Sequence, residues 1–532
     1  MNPLNLPKLC GGDVELCNFF SSAESRDGTG SRAALALLRK IDGVQGGTRP
    51  RWESGGSGSW NSQSGRDERF DPQDWMRTYL PGNGGCAYID LNHLEICLPE
   101  VLSARDHVAA WRAMLGIATQ AQAEVNTELP LGEKIHVLAN NSDGRGNSFG
   151  SHLDFLITRR AWDNIFRRRL QYLLYLAAYQ ASSIVFTGQG KVGVEGGDEP
   201  CAYQISQRGD FIEVLMGTQT TFNRPLVNSR DEPLCGDERD GPAAGMARLH
   251  VIFYDSNLCD MAGYLKVGVL QIILAMIEAE QVNATLILED PVGAVRAWSR
   301  DPGLTARVPL VSRKEVTAVE LQFMFFEDAK AFVDAGGCEG IVPEADKILK
   351  LWEDTLGKLK ARDFTALAPR LDWVLKLSML KRAMNKRPEL SWDSPEIKHL
   401  DHMYGSLDGG LHQAFERSGA VERLVSDAEI ERFRHEPPED TRAWARSRLL
   451  RLAGPEAVEK VDWDSITFRL RDRWPRRRTV SLANPLDFTK AKLPVLETAT
   501  LEEALDALGA QSAPVETPVY RTYSLTYNTP YL

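Results

Sequence analysis

Three side chains that can bind a metal ion or move a proton lie within six residues of a segment that otherwise has the pattern of a strand. The segment, residues 86–100, reads "CAYIDLNHLEICLPE", and the three residues are Asp90, His93 and Glu95. Burying charge in a core strand is costly, so two interpretations are open. Either the three side chains hold a metal ion and a reacting group, or they are solvated at the end of a strand.

Further polar groups recur along the chain in four segments. They are Asp13 and Glu15 in "GGDVEL"; His152 and Asp154 after a Gly/Asn/Ser-rich loop that starts at Asn140; Arg208, Arg224, Arg230, Asp231 and Glu232 in "SQRGDF" and "NRPLVNSRDEP"; and Arg248, His250, Asp255, Asn257 and Lys266 in "RLHVIFYDSNLCDMAGYLK". Asp13 and Glu15 alternate along a predicted strand, so both point to the same face.

These carboxylates, histidines and arginines are suited to binding a nucleoside triphosphate together with a divalent ion. Hard ions such as Mg²⁺ or Mn²⁺ prefer oxygen ligands, and arginine forks match phosphate oxygens. The chain has no GxxxxGK[ST] phosphate loop, so the predicted site is not of the P-loop type. Each polar segment alone is more often structural, and only their joint presence favours a functional site.

Composition limits the class of protein. The chain has 532 residues, 43% of them hydrophobic, and a formal net charge of −11. This charge argues against a nucleic-acid partner, because such binding depends on phosphate neutralisation. The longest apolar run, residues 267–277, is too short to cross a bilayer and predicts a buried helix. With no signal-peptide pattern and eight cysteines but no CxxC pair, we expect a cytoplasmic protein without a membrane partner.

The pattern of elements predicts an α+β fold. Strands are expected at about residues 8–20, 87–90, 134–138, 212–216 and 249–253, and helices at 32–40, 103–128, 160–179, 258–280 and 315–334, with an almost wholly helical stretch at 345–451. Residues 43–82 are rich in Gly, Ser and charge, which predicts a flexible loop that acts as a gate. We therefore divide the chain into a catalytic domain (1–455, with that loop), a small C-terminal domain (456–510) and a flexible tail (511–532).

A series of motifs resembles the family of the Pup ligase and the Pup deamidase/depupylase, which act on the prokaryotic ubiquitin-like protein Pup. From about residue 9 to about residue 490 the motifs are "GGDVEL", "AYIDLNHLEICLPE", "NNSDGRGNSFGSH", "ISQRGDFIEV", "NSRDEP", "RLHVI", "YLKVG", "LDWVLK", "EPPEDTRA" and "VDWDSITF". The resemblance implies a glutamine-synthetase-like fold, in which helices flank a curved antiparallel sheet. It also implies ATP and Mg²⁺ as cofactors, and a Pup-like modifier and its conjugates as partners.

The resemblance further implies a role for each site residue. Asp90 would be the catalytic carboxylate, assisted by Arg208. The metal ligands would be Asp13, Glu15, Tyr88, Glu95 and His152, and the nucleotide would be held by Arg208, Arg230, His250 and Trp463.

The chain departs from the family pattern at several positions, including a longer link after "NSRDEP" that lacks the usual His. Asp13 stands where the family usually has Glu, and Cys86 stands where it often has an arginine that touches ATP. "HLDF" replaces "HENY", so that Leu153 occupies the position of a Glu and only Asp154 is available to compensate.

Two features favour the deamidase/depupylase branch, namely the spacing from Asp90 to Glu95 and the insertion between residues 40 and 83. We therefore predict an ATP- and Mg²⁺-dependent amidohydrolase that deamidates the C-terminal Gln of a Pup-like modifier, cleaves its isopeptide bond to lysine, or does both. The alternative is a ligase that joins a C-terminal Glu to an amine through an acyl phosphate. The third possibility, motivated by Cys86 and Leu153, is a degenerate non-catalytic member that binds the tag or a nucleotide.

Overall fold

The computed structural model describes residues 5–21, 30–46, 77–195, 199–232, 234–235, 245–470 and 476–512. Its strands are β1 (Cys10–Ser21), β2 (Val44–Gln45), β3 (Thr78–Tyr79), β4 (Cys86–Asp90), β5 (His93–Val101), β6 (Lys134–Leu138), β7 (Ser151–Thr158), β8 (Lys191–Val192), β9 (Tyr203–Gln204), β10 (Val214–Gly217), β11 (Pro225–Asn228), β12 (Met246–Val251), β13 (Val308–Pro309), β14 (Glu315–Val316), β15 (Val458–Val461), β16 (Ser465–Arg469), β17 (Arg477–Ser481) and β18 (Gln511–Ser512).

Fifteen α-helices lie within the described residues. They are α1 (Gly30–Leu38), α2 (Ala104–Glu128), α3 (Arg159–Asp163), α4 (Leu170–Thr187), α5 (Asp260–Glu278), α6 (Pro291–Ser299), α7 (Ala318–Asp334), α8 (Ala345–Ala361), α9 (Phe364–Leu367), α10 (Asp372–Lys386), α11 (Pro395–Tyr404), α12 (Leu411–Arg417), α13 (Asp427–His435), α14 (Arg442–Ala457) and α15 (Leu501–Ala507). A π-helical turn, Asn164–Arg168, separates α3 from α4.

An antiparallel sheet of eight strands carries the site. Its order is β12-β7-β1-β5-β4-β3-β2, with β6 pairing to a further part of β1. Strand β1 is therefore hydrogen-bonded to β5 on one side and to β7 on the other, with Asp13 opposite both Cys97 and His152. Because facing residues of paired strands share a face of the sheet, these registers place side chains from distant parts of the sequence side by side.

The two faces of the sheet differ in chemistry because side chains alternate along a strand. On β1, Val14 and Leu16 are buried in the main hydrophobic core, whereas Asp13 and Glu15 line an open cavity. The core also contains the apolar faces of α2, α4 and α5. Helices thus cover one face of the sheet, and the polar face stays open to the cavity.

Helix α5 is the most apolar of the described helices. It is long and hydrophobic enough to cross a membrane, with a mean hydropathy of 1.5, and 94% of that stretch is buried inside the protein. It packs beneath the sheet among α2, α4 and α8. The predicted buried helix is therefore confirmed within the described residues.

A second hydrophobic cluster joins the C-terminal part of the chain to the edge of the main sheet. Strands β15 to β18 form a four-stranded antiparallel sheet. Its buried side chains Ile466 and Phe468 belong to one cluster with Trp444 of α14 and Tyr79 of β3. The predicted domain boundary between residues 455 and 456 stays a prediction. The cluster also includes residues of α14 that lie before this boundary.

Two predicted flexible segments fall mainly outside the described residues. Of the loop at residues 43–82, residues 47–76 lie outside them, while its ends contribute the paired strands β2 and β3. Of the tail at residues 511–532, residues 513–532 lie outside them. Both gating by the loop and flexibility of the tail stay predictions.

Candidate functional site

A cavity of about 1580 Å³ lies over the polar face of the central sheet. Nine of the predicted site residues line it, contributed by β1, β4, β5, β7, the loop between β11 and β12, β12 itself and the C-terminal part of the chain: Asp13, Glu15, Tyr88, Asp90, Glu95, His152, Arg230, His250 and Trp463. The tenth, Arg208, is 1% exposed and is not part of the cavity wall. The sheet thus brings together residues that are more than 400 positions apart in the sequence.

Three carboxylates meet where β1 faces the β4–β5 hairpin. Glu15 is directly opposite Glu95 in the β1–β5 register, and ligand oxygens of Glu15, Asp90 and Glu95 lie within 4.8 Å of one another. The Tyr88 hydroxyl donates a hydrogen bond of 2.5 Å to Glu95. Burial, together with the charges of Asp13, Glu15 and Asp90, raises the pKa of Glu95 well above its usual value. This crowding of negative charge favours a bound cation.

A second group of possible ligand atoms lies beside the first on the same face of the sheet. Atoms of Asp13, Asp154 and His250 are within 4.8 Å of one another, and His152 Nδ1 is 3.3 Å from Asp13 Oδ2. His250 Nδ1 is 2.8 Å from Asp154 Oδ1. Burial alone would raise the pKa of Asp13, but His152 and His250 hold that pKa below its usual value. Asp13 therefore remains ionised beside the crowded Glu95.

The donor set fits Mg²⁺. Asp13 Oδ1 is buried and has no hydrogen-bond partner within the described residues, which is costly unless another group satisfies it. Glu15, Glu95 and Asp90 add carboxylate oxygens, the ligands that Mg²⁺ prefers. The two histidines suit Mn²⁺ as well, because imidazole binds softer divalent ions.

Leu153 and Asp154 lie on opposite faces of β7. Leu153 is 2% exposed and belongs to the core under the sheet, whereas Asp154 lines the cavity with His152, two residues before it. The Asp154 carboxylate also accepts a hydrogen bond of 2.9 Å from Arg248. The replacement of Glu by Leu153 therefore removes nothing from the cavity wall, and Asp154 is a wall residue that the predicted site omitted.

Several arginines surround the carboxylates. Arg77, Arg224, Arg230 and Arg248 line the cavity, and Arg224 donates a hydrogen bond of 2.5 Å to the carbonyl oxygen of Ser148. Their guanidinium groups are suited to phosphate oxygens. Of these four, only Arg230 was assigned to the nucleotide from the sequence.

Arg208 is buried beneath the cavity wall. Its guanidinium donates to the carbonyl oxygen of Phe149, and the Phe149 ring packs against His93 at 4.6 Å between centroids. Burial, followed by the charge of Arg224, lowers the pKa of Arg208 to about 10, and Glu15 opposes this shift. Arg208 thus remains cationic at neutral pH and supports the loop that leads into β7.

Trp463 forms the end of the cavity nearest the C-terminal part of the chain. Its ring meets Tyr79 edge-on at 5.6 Å, and the guanidinium carbon of Arg446 lies 4.6 Å from its centroid. Arg446 is fully buried and paired with Glu100 of β5. Arg442 Nε is 2.7 Å from the same carboxylate. The indole is therefore anchored to the main sheet through a buried ion network.

Comparison with known proteins agrees with this geometry. The profile of the family described as Pup-ligase protein matches residues 48–467. The chain belongs to this family. It is similar to a depupylase from Acidothermus cellulolyticus, with 36% identity over 412 residues covering 77% of this chain and 78% of that protein. It is also similar to a Pup–protein ligase from Acidimicrobium ferrooxidans, with 35% identity over 410 residues covering 76% of this chain and 85% of that protein.

Solved structures of a Pup ligase share the fold. The crystal structure of the complex between Pup and its ligase PafA superposes with a TM-score of 0.75 at 23% identity, covering 94% of this chain and 92% of that one. The structure of PafA in complex with ADP superposes with a TM-score of 0.68 at 24% identity, covering 84% and 92%. The predicted α+β, glutamine-synthetase-like fold is therefore confirmed, as is the predicted family.

Proposed function

We propose that this member of the Pup-ligase family is an ATP- and Mg²⁺-dependent amidohydrolase that acts in the cytoplasm on a Pup-like modifier. Its reactions would be deamidation of the C-terminal Gln of the modifier, cleavage of the isopeptide bond to lysine, or both. The proposal is supported by the similarity to a depupylase and to the Pup deamidase/depupylase of Mycolicibacterium smegmatis, which is 34% identical over 391 residues. The observation that carries it is the half-buried carboxylate of Asp90 beside Glu15 and Glu95.

Asp90 is the proposed nucleophile or general base. Amide hydrolysis needs an attack on the carbonyl carbon, stabilisation of the resulting oxyanion and protonation of the leaving amine. The wall residues Glu15, Glu95 and Asp13 would hold Mg²⁺, with Tyr88 orienting Glu95 and His152 orienting Asp13. When bound, the ion would polarise the carbonyl and offset its developing negative charge.

The proposed nucleotide site is the part of the cavity between Trp463 and the wall arginines. Trp463 offers a ring face for a base, while Arg230, with Arg224 beside the entrance to β7, offers cationic groups for phosphates. His250 would contact the phosphates from β12. We assign Arg208 a positioning role through the carbonyl of Phe149. In this proposal ATP supplies charge and shape and is not consumed.

The decisive variant is Asp90→Asn, which keeps the size of the side chain but removes its charge. We expect amide cleavage to fall by roughly 10²- to 10⁴-fold if Asp90 is a general base, while the variant still binds nucleotide. Asp143→Asn is the matched control. Asp143 lines the same cavity, but its carboxylate accepts backbone hydrogen bonds from Arg145 and Asn147, so near-normal cleavage is expected.

The assay separates the two branches of the family. A Pup-like peptide ending in Gln, or joined to a lysine, is incubated with ATP or with a non-hydrolysable analogue. The amidohydrolase should release ammonia or lysine with either nucleotide. An Asp90→Asn variant as active as the wild type would refute the assignment of Asp90.

The second candidate is the ligase, favoured by the 35% identity to a Pup–protein ligase of which this chain covers 85%. In that case a peptide ending in Glu should be joined to an amine. The reaction should require hydrolysable ATP, and one ADP should form for each conjugate. The third candidate, a non-catalytic member, requires tight binding of the tag with neither reaction.

A further inference from the structure

Two cysteines face each other across the hairpin that carries Asp90. Cys86 of β4 is directly opposite Cys97 of β5. Cα atoms of directly opposed residues on antiparallel strands are about 4.5–5.5 Å apart, inside the range of roughly 4.4–6.8 Å that disulfides require. Both side chains are on one face of the sheet, belong to the same buried cluster and are free thiols.

No other facing pair of cysteines occurs in the described strands. Cys10 is opposite Val101 and Phe155, and Cys17 is opposite Leu138; the remaining four of the eight cysteines are outside the strands. Cys97 lines the cavity whereas Cys86 does not. A small oxidant that enters the cavity therefore reaches Cys97 before Cys86.

We propose that Cys86 and Cys97 are a redox-modification site at which a small peroxide forms a reversible disulfide. Cys97 sulfur attacks the O–O bond of hydrogen peroxide and becomes a sulfenic acid, releasing one water. Cys86 sulfur then attacks the sulfenic sulfur, which forms the S–S bond and releases a second water. Overall two thiols lose two electrons and two protons, and one peroxide becomes two waters.

The surroundings slow this reaction without preventing access. Cys86 is fully buried and Cys97 is only 4% exposed. An oxidant therefore has limited access to the two sulfurs, so we expect the pair to stay reduced in ordinary buffer. Cross-linking should need sustained exposure to peroxide.

The cross-link would act on the cation site through the hairpin. Tyr88 and Glu95 are the next pair on the same face, two residues from Cys86 and Cys97 respectively, and their side chains meet at 2.5 Å. A disulfide would hold the two strands at this point in the geometry that the S–S bond requires. We expect the disulfide to weaken binding of Mn²⁺, used as a probe for Mg²⁺, several-fold; this second effect rests on the proposed function.

The test uses the full chain treated with hydrogen peroxide. Remaining thiols are alkylated with iodoacetamide, the protein is unfolded and digested, and peptides are identified by mass spectrometry. We expect the loss of two of the eight thiols, a peptide that links Cys86 to Cys97, and its disappearance after treatment with dithiothreitol. Cys86→Ala and Cys97→Ala should each abolish the linked peptide. Cys17→Ala removes another cavity cysteine and should leave it intact.

Three outcomes would overturn the modification site: survival of all eight thiols, a link between other cysteines, or over-oxidation of Cys97 while Cys86 stays free. Circular dichroism checks that the variants are folded. Mn²⁺ binding is then compared between the reduced and cross-linked protein. Equal affinities would overturn the coupling to the cation site. A reduced protein that binds no Mn²⁺ would overturn the proposed function while the linked peptide still upholds the modification site.

Discussion

Replacing Glu100 with Gln should destabilise the folded protein by about 3 kcal/mol near neutral pH. Glu100 is 6% exposed and accepts hydrogen bonds from Arg442 and Arg446. Burial alone would raise the pKa of Glu100, but the two guanidinium groups lower it from 4.5 to about 2. At about 1.4 kcal/mol per unit of pKa, the charged form gains roughly 3 kcal/mol on folding, in line with the ~3–5 kcal/mol lost when a buried pair is broken.

The pH dependence of this loss has a defined sign. Because the pKa of Glu100 is lower in the folded state, its contribution is complete above about pH 4.5 and is lost as the pH falls towards 2. Urea unfolding followed by tryptophan fluorescence at about pH 7, 5 and 3 measures the difference between wild type and variant. We expect a difference near 3 kcal/mol at the two higher pH values and a smaller one at about pH 3.

Glu436→Gln is the matched control, because Glu436 also pairs with two arginines of α14, Arg448 and Arg451. Its side chain is 48% exposed, and an exposed pair contributes less than about 1 kcal/mol. Equal losses of stability in Glu100→Gln and Glu436→Gln at neutral pH would refute the contribution of the buried ion pairs of Glu100. A loss in Glu100→Gln that is unchanged at low pH would refute it as well.

Two further substitutions probe the cation site through binding. A Cβ atom at Gly150 would lie 2.2 Å from His152 Nε2 and 2.9 Å from Glu15 Oε1. Gly150→Ala should therefore displace both side chains and weaken Mn²⁺ binding, measured by calorimetry, by at least several-fold. Unchanged affinity would contradict the role of these two side chains in the cation site. Tyr88→Phe removes a hydrogen bond that lowers the pKa of Glu95, whose pKa burial already raises. Mn²⁺ affinity of this variant should therefore fall, and the loss should become smaller as the pH rises, because protons compete for Glu95; a loss that does not change with pH would contradict this.

Much of the element pattern could be predicted because it depends on local periodicity. Strand β6 was predicted at its observed bounds, and helix α2 begins after Ser103, whose side chain accepts a hydrogen bond from the Asp106 amide. The single helix predicted at residues 160–179 is wrong. The chain leaves the helical conformation at Arg169, with φ −136° and ψ 89°. No Gly or Pro marks this break in the sequence, so local pattern gives no signal for it.

The composition of the cavity wall was only partly predictable. The shared face of Asp13 and Glu15 follows from alternation alone, and the registers of β1 confirm it. The same alternation, applied to His152 and Asp154, places Asp154 on the wall and Leu153 in the core. The burial of Arg208 could not be predicted, because it depends on the path of the loop through Phe149, which is fixed by tertiary contacts.

The strand order also determines when during synthesis the cavity can become functional. The contact between Asp13 and His152 spans 139 positions, and the one between Glu100 and Arg442 spans 342. Contacts of such long sequence separation form late, because the loop between them must close first. A nascent chain that has passed β7 but not α14 would have most of the carboxylates without the anchor of Trp463. Ligand affinity would then be acquired only after α14 and the segment that carries Trp463 have been synthesised.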